Sequence, residues 1–221
     1  MKKLTLLLCI TIFIGCAPQQ KNTPNQKTEI ILELPQKEIP DSSLMSESPI
    51  NPINLDQYLF REDCIYLDLR EPHAFYSEGS VAGFINLPFY DYIAHVNHEK
   101  NALYQMVKKN NEQGDLILLG TVGSFEANYQ ESDSIIKSLI PHNKNILIIS
   151  TAGVESSYFI SLLIQLGYDG NKLYNVGSFT NGMLGAPAYR DLAEKQYFVE
   201  PFALYDTQIT FQWEKLEEIK K

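Results

Sequence analysis

Reactive side chains in this chain fall into three groups: thiols, a hydroxyl that opens a small-residue loop, and ionisable groups near strand ends. The thiols are Cys9, Cys16 and Cys64. A thiolate is the best nucleophile of the three groups near neutral pH, and acylation and metal binding use it as well. Cys9 lies inside an apolar amino-terminal run and Cys16 closes that run, so Cys64 is the one thiol left for a folded active site. It has no intramolecular partner for a disulfide. The hydroxyl is Ser150, first in the stretch Ser150, Thr151, Ala152, Gly153, Val154, Glu155, Ser156. A tight loop between a strand and a helix turns N–H groups and the positive helix end toward one point, which favours an anion. A serine hydrolase would need a His and an oriented acid beside Ser150, and the small-x-Ser-x-Gly elbow is missing here.

The remaining groups are weaker. His73, His95, His98 and His142 show no metal-ligand spacing, so no metal site and no cofactor is expected. The Gly-rich residues 120–125 follow an apolar run but lack the spacing and lysine of a phosphate loop, and a turn is expected there. Asp68 and Arg70 stand at a strand's carboxyl end, where a structural ion pair is the expected role.

The elements that must position these groups follow from periodicity. Short apolar runs rich in β-branched residues at 64–69, 116–119, 145–149 and 173–176 predict strands, and 84–88 predicts an extended segment ended by Pro88. Between them, helices are expected over 71–78, opened by Pro72, over 132–140 and over 156–166, with Gly167 as a left-handed stop. A one-sided stripe predicts a helix over most of 89–110, and 120–131 reads as loop. Asn54 is expected to cap a short helix. Strands alternating with helices imply an α/β fold with a parallel sheet, whose functional loops lie at the carboxyl ends of the strands. Cys64, at the start of the first strand, belongs to the opposite edge.

The chain has 221 residues and a net charge of -9. That balance argues against nucleic acid and against electrostatic docking on anionic lipid. Lys2 and Lys3 precede the apolar run of residues 4–14, which is shorter than the roughly 20 apolar residues that span a bilayer as a helix. These are the proportions of a secretory leader. Gly15 and Cys16 close it in the manner of a bacterial lipoprotein signal, which it resembles; that resemblance implies cleavage after Gly15 and acylation (palmitate) of Cys16. Residues 16–53, rich in Pro, Gln, Asn and Ser, are expected to be a flexible tether. Within it, 28–34 either forms a strand that docks on the domain or stays transiently extended. An extended stretch over 208–213 and a charged end over 214–221 belong to a carboxyl-terminal extension, residues 190–221.

Residues 66–75 and 79–88 resemble the front half of a rhodanese domain. Asp68, Arg70, Gly79, Gly83, Asn86 and Pro88 are in register with its pattern, while Ser80 replaces the usual His and Ala82 the usual Pro. The back half is similar too: strand, loop, helix, Leu166, Gly167, Tyr168, strand, then Asn175 to Phe179. The resemblance covers residues 54–189 and implies a rhodanese-like parallel sheet flanked by helices, a single domain with an insertion at about 90–145 and a carboxyl-terminal tail. It also implies what the loop should contain. A working rhodanese carries a Cys at the position of Ser150 and often an Arg at that of Glu155. The thiolate takes sulfane sulfur from a donor and becomes a persulfide.

With Ser150 for Cys and Glu155 for Arg, no catalytic residue is expected. The loop from Ser150 to Ser156 is then a degenerate site with ligand-binding potential. The expected protein is a membrane-anchored, catalytically degenerate rhodanese-like lipoprotein of the cell envelope, on its periplasmic or surface side. It would act as a binding or interaction module, held to the membrane through lipid on Cys16, with a protein partner of unspecified identity. The alternative is a sulfurtransferase-type or hydrolytic enzyme that uses Ser150, Cys64 or a partner's cysteine.

Overall fold

The computed structural model describes residues 32–97, 100–108, 122–182, 185–201 and 212–219. In chain order the strands are β1 (Cys64–Asp68), β2 (Ser80–Val81), β3 (Ile85–Asn86), β4 (Ala94–His95), β5 (Tyr104–Lys108), β6 (Val122–Ala127), β7 (Asn145–Ser150), β8 (Leu173–Ser178) and β9 (Phe198–Val199). The helices are α1 (Pro72–Ser77), α2 (Ser132–Leu139) and α3 (Val154–Gln165).

Four strands form a parallel sheet in the order β3-β1-β7-β8. The apolar runs that predicted β1, β7 and β8 explain why the sheet is buried on both faces. Along β7, Ile146 and Ile148 enter one core with Leu67 of β1, whereas Leu147 and Ile149 enter the opposite core with Tyr66. All four β7 side chains are fully buried, and each stabilises the fold by about 1.5–3 kcal/mol. The first core is covered by α2, α3 and a second sheet, the other by residues 50–58 and by Tyr189. A mixed α/β fold with a helix-flanked parallel sheet follows.

Helix α3 ends as its sequence predicts. Gly167 takes φ +89°, its N–H donates to the Ile164 carbonyl at 3.0 Å, and the Tyr168 N–H donates to Leu163 at 3.0 Å. This is the two-bond cap that a left-handed glycine permits.

Several expectations are corrected. The helix expected over 89–110 is a five-residue π-type turn, Phe89–Ile93, followed by β4 and β5. Tyr104 and Met106 are buried while Gln105 is half-buried, a period of two that the helical reading overlooked. Pairing settles the contest: β5 joins β4 in parallel and β6 antiparallel. Residues 122–127, expected as loop and Gly-rich turn, are therefore strand β6. The strand expected over 116–119 lies outside the described residues. Asn54 precedes a 3-10 turn, Leu55–Tyr58, without capping it. Its amide instead accepts from the Asn51 N–H at 2.8 Å and donates to Pro49 O at 3.0 Å.

The tether expected to run to residue 53 is folded from residue 32 onward. Ile50 is fully buried and Leu34 packs on the same core. Residues 32–34 are not in a strand, and 28–31 lie outside the described residues. The tail also joins the domain: β9 pairs antiparallel with β2, and Trp213 stacks on Tyr92 and leans on Tyr129. Residues 208–211 of the expected extended stretch lie outside the described residues, and Trp213 begins a 3-10 turn.

Candidate functional site

The carboxyl end of β7 brings the predicted loop to the edge of the sheet. Ser150 is the last strand residue and is fully buried. Its Oγ accepts hydrogen bonds from the Gly153 N–H at 3.0 Å and the Ser156 N–H at 3.4 Å. One N–H group from the loop and one from the first turn of α3 thus point at the Ser150 oxygen itself. The loop is shorter than expected: Thr151, Ala152 and Gly153 connect the strand to a helix that already starts at Val154. Gly153 makes the turn possible with φ +81°, a conformation that side chains disfavour.

Glu155 and Ser156 lie in the first turn of α3. Glu155 Oε2 and Ser156 Oγ are buried, and neither has a hydrogen-bond partner. Two phenols sit within electrostatic reach of that carboxylate. Tyr90 is pushed up to about 12, first by burial and then by Glu155. Tyr158 is raised by the same two causes. The Phe89 ring touches both tyrosine rings, at 5.2 Å and 6.2 Å.

Asp68 and Arg70 form the structural pair that their position predicted. Arg70 Nη2 meets Asp68 Oδ2 at 2.7 Å with both side chains fully buried. Arg70 Nη2 also donates to Gly79 O at 2.8 Å, and the guanidinium lies 3.6 Å from the Phe179 ring centre. The Phe179 N–H in turn donates to Ser150 O at 2.8 Å. The ion pair therefore braces the loop from behind, and its cation is engaged away from Ser150 Oγ.

Residues 42–52 pack against the same edge. Ser43 O accepts from Ser157 Oγ at 2.8 Å and from Asn175 Nδ2 at 3.0 Å. Asn175 Nδ2 also donates to Gly153 O at 3.0 Å, and Asn175 Oδ1 accepts from the Gly177 N–H at 3.0 Å. Met45 Sδ lies so close that a Cβ on Gly153 or on Gly177 would meet it at 2.9 or 2.8 Å. The amino-terminal segment is thus a strap over the loop. Sequence reading missed it because its Pro, Ser and Asn content resembles a linker. In the sequence Asn175 has a place in the rhodanese-like pattern and no sign of this role.

The other candidates lie elsewhere. Cys64 starts β1, across the sheet from the loop, and its thiol is pushed up to about 11 by burial and by the neighbouring Asp63 carboxylate. His142 stacks on Tyr168 at 3.8 Å, and His95 faces Tyr90 at 6.1 Å. Among the described residues no imidazole bonds to Ser150, and no group of three or more His, Cys, Asp or Glu is placed to hold a metal ion. His98 and Cys16 lie outside the described residues, and no helix among the described residues is long and apolar enough to cross a membrane. No family model, no curated protein and no solved structure matches this chain.

Proposed function

We propose that this chain is a lipid-anchored, catalytically degenerate member of the rhodanese-like group that works as a binding or interaction module at the cell envelope. One observation carries the reading: the buried Ser150 hydroxyl takes the loop and helix N–H groups that a rhodanese directs at its thiolate. A serine oxygen with a very high pKa neither loses its proton readily nor carries sulfane sulfur. By the resemblance, Glu155 stands where a working loop often carries an Arg, so attraction of an anionic donor becomes repulsion. Two like unit charges about 4 Å apart repel by about 4 kcal/mol at an effective dielectric near 20, before screening by water.

An enzyme built on the remaining thiol is disfavoured by its place and its poor ionisation. The test is thiocyanate formation from thiosulfate and cyanide. The proposal expects none above the blank, and turnover that is lost in Ser150→Ala would overturn it. Anchoring is tested separately. A fatty-acid probe should label the wild type in cells and not Cys16→Ala, and equal labelling of the two would refute acylation at Cys16.

A further inference from the structure

The strap closes over the loop with a thioether at its centre. Met45 opens a 3-10 turn, Met45–Glu47, and its sulfur rests on two glycines, Gly153 of the loop and Gly177 of β8. A Cβ on either glycine would come within 2.9 Å of the sulfur, and a Cβ on Gly153 would also meet Gly177 Cα at 3.2 Å. Both glycines have positive φ, +81° and +102°. The seat under the thioether is therefore close-packed backbone.

Next to Met45 the strap is tied to the domain through Ser43 O, which accepts from Ser157 Oγ and Asn175 Nδ2. The turn itself is closed by bonds within the strap: the Glu47 N–H donates to Leu44 O at 3.3 Å and the Ser48 N–H to Met45 O at 3.2 Å. Leu44 and Ser46 are exposed and Met45 is half-buried, so a small oxidant has access to this stretch. Met106, by contrast, is only 2% exposed inside the first core.

We propose that Met45 is an oxidation-sensitive latch: a hydroperoxide converts its thioether to the sulfoxide, and the strap lifts from the loop. With hydrogen peroxide, a sulfur lone pair attacks one peroxide oxygen. The S–O bond forms as the O–O bond breaks, the proton on the transferred oxygen passes to the departing hydroxide, and water leaves. Sulfur is oxidised by two electrons and the peroxide is reduced by two. The product is bulkier and polar. Gly153 and Gly177 offer the added oxygen no room and no side-chain donor, and burying an unpaired polar group is unfavourable. The sulfoxide therefore turns to water and carries residues 43–48 with it, which uncovers the Gly153–Gly177 edge beside Ser150. The inference goes beyond the binding-module reading, because it concerns when the edge is covered and not what the loop binds or transfers.

The test treats the full chain in detergent with hydrogen peroxide until peptide mass spectrometry reads one added oxygen on Met45. Hydrogen exchange then follows the strap. The amides of Leu44, Glu47 and Ser48 should exchange about tenfold faster or more in the sulfoxide form, while those of β7 stay protected. Met45→Leu, a swap of similar volume, should keep the strap slow before and after peroxide. This variant retains Cys64, so it also controls for oxidation of that thiol. Met45→Gln, which sets a polar amide on the two glycines, should open the strap without oxidant. The inference is overturned if Met45 resists peroxide as Met106 does, or if its sulfoxide leaves strap exchange unchanged. It is equally overturned if peroxide opens Met45→Leu as it opens the wild type, or if Met45→Gln stays closed. The thiosulfate assay, whatever its result, bears on the reading of the loop alone.

Discussion

Ser150, Asp68, Arg70 and Cys64 show how environment fixes the role of a polar side chain. The Ser150 hydroxyl is an acceptor for two N–H groups at the head of α3, the part that a capping residue plays. Ser150→Ala should therefore cost about 1 kcal/mol, measured by urea unfolding. Unchanged stability would mean that the two bonds contribute nothing. The Asp68–Arg70 pair is fully buried. Asp68→Asn leaves the buried guanidinium with only the part-exposed Glu78 carboxylate at 3.5 Å, and a loss of about 3 kcal/mol is expected from the denaturation midpoint. The Cys64 thiol, raised to about 11 by burial and Asp63, is neutral at pH 8 far more than an ordinary thiol. Its alkylation by iodoacetamide at that pH should be slower by about 100-fold than that of a model thiol, and should recover as the pH is raised. Rapid alkylation at pH 8 would show that the thiol is not held in its neutral form.

At the level of elements, the strap and the loop depend on each other. Gly177 takes φ +102° under Met45. An alanine there meets both an unfavourable backbone and the thioether, so Gly177→Ala should destabilise by about 1–3 kcal/mol. Gly167 has a similar φ of +89° but open space around it. Gly167→Ala should thus cost only the backbone part, about 1 kcal/mol. Equal losses at the two sites would remove the steric role given to Met45. Ile50, fully buried in the second core, should cost about 2–5 kcal/mol as Ala, a result that a free tether at this point would not produce.

The same elements mark what was legible in the sequence. β1, β7, β8 and α3 were readable because each is a continuous apolar run with a clear stop, and the loop position followed from them. Residues 104–108 are ambiguous in the sequence because Leu103, Met106 and Val107 fit a helical stripe, and pairing with β4 and β6 decides for the strand. The strap was illegible for a different reason. Its anchors include the carbonyls of Pro35 and Ser43, which accept from Tyr174, Ser157 and Asn175, and backbone acceptors leave no trace in residue type. At the site itself, Ser150 and Glu155 stand out in the sequence, but Tyr90 does not, because the long stretch between residues 90 and 155 hides that the phenol feels the Glu155 charge.

For the whole molecule, an acidic chain with a net charge of -9, a buried hydroxyl where a thiolate would be needed, and a strap across the loop all oppose chemistry on an anionic sulfur donor. They leave a sheet edge whose loop is held by the strap and by the Asp68–Arg70 pair behind it. The central claim is that the loop does not transfer sulfur, and its most direct measurement runs wild type and Ser150→Cys side by side with thiosulfate. Protein-bound persulfide is read by intact mass, as a gain of one sulfur atom, and thiocyanate is read after cyanide is added. The account predicts no persulfide and no thiocyanate above the blank for the wild type. It predicts at most a trace for Ser150→Cys, whose thiol would sit in a buried position with Glu155 opposing the donor. Sulfur transfer by the wild-type chain, or vigorous transfer by Ser150→Cys alone, would contradict it.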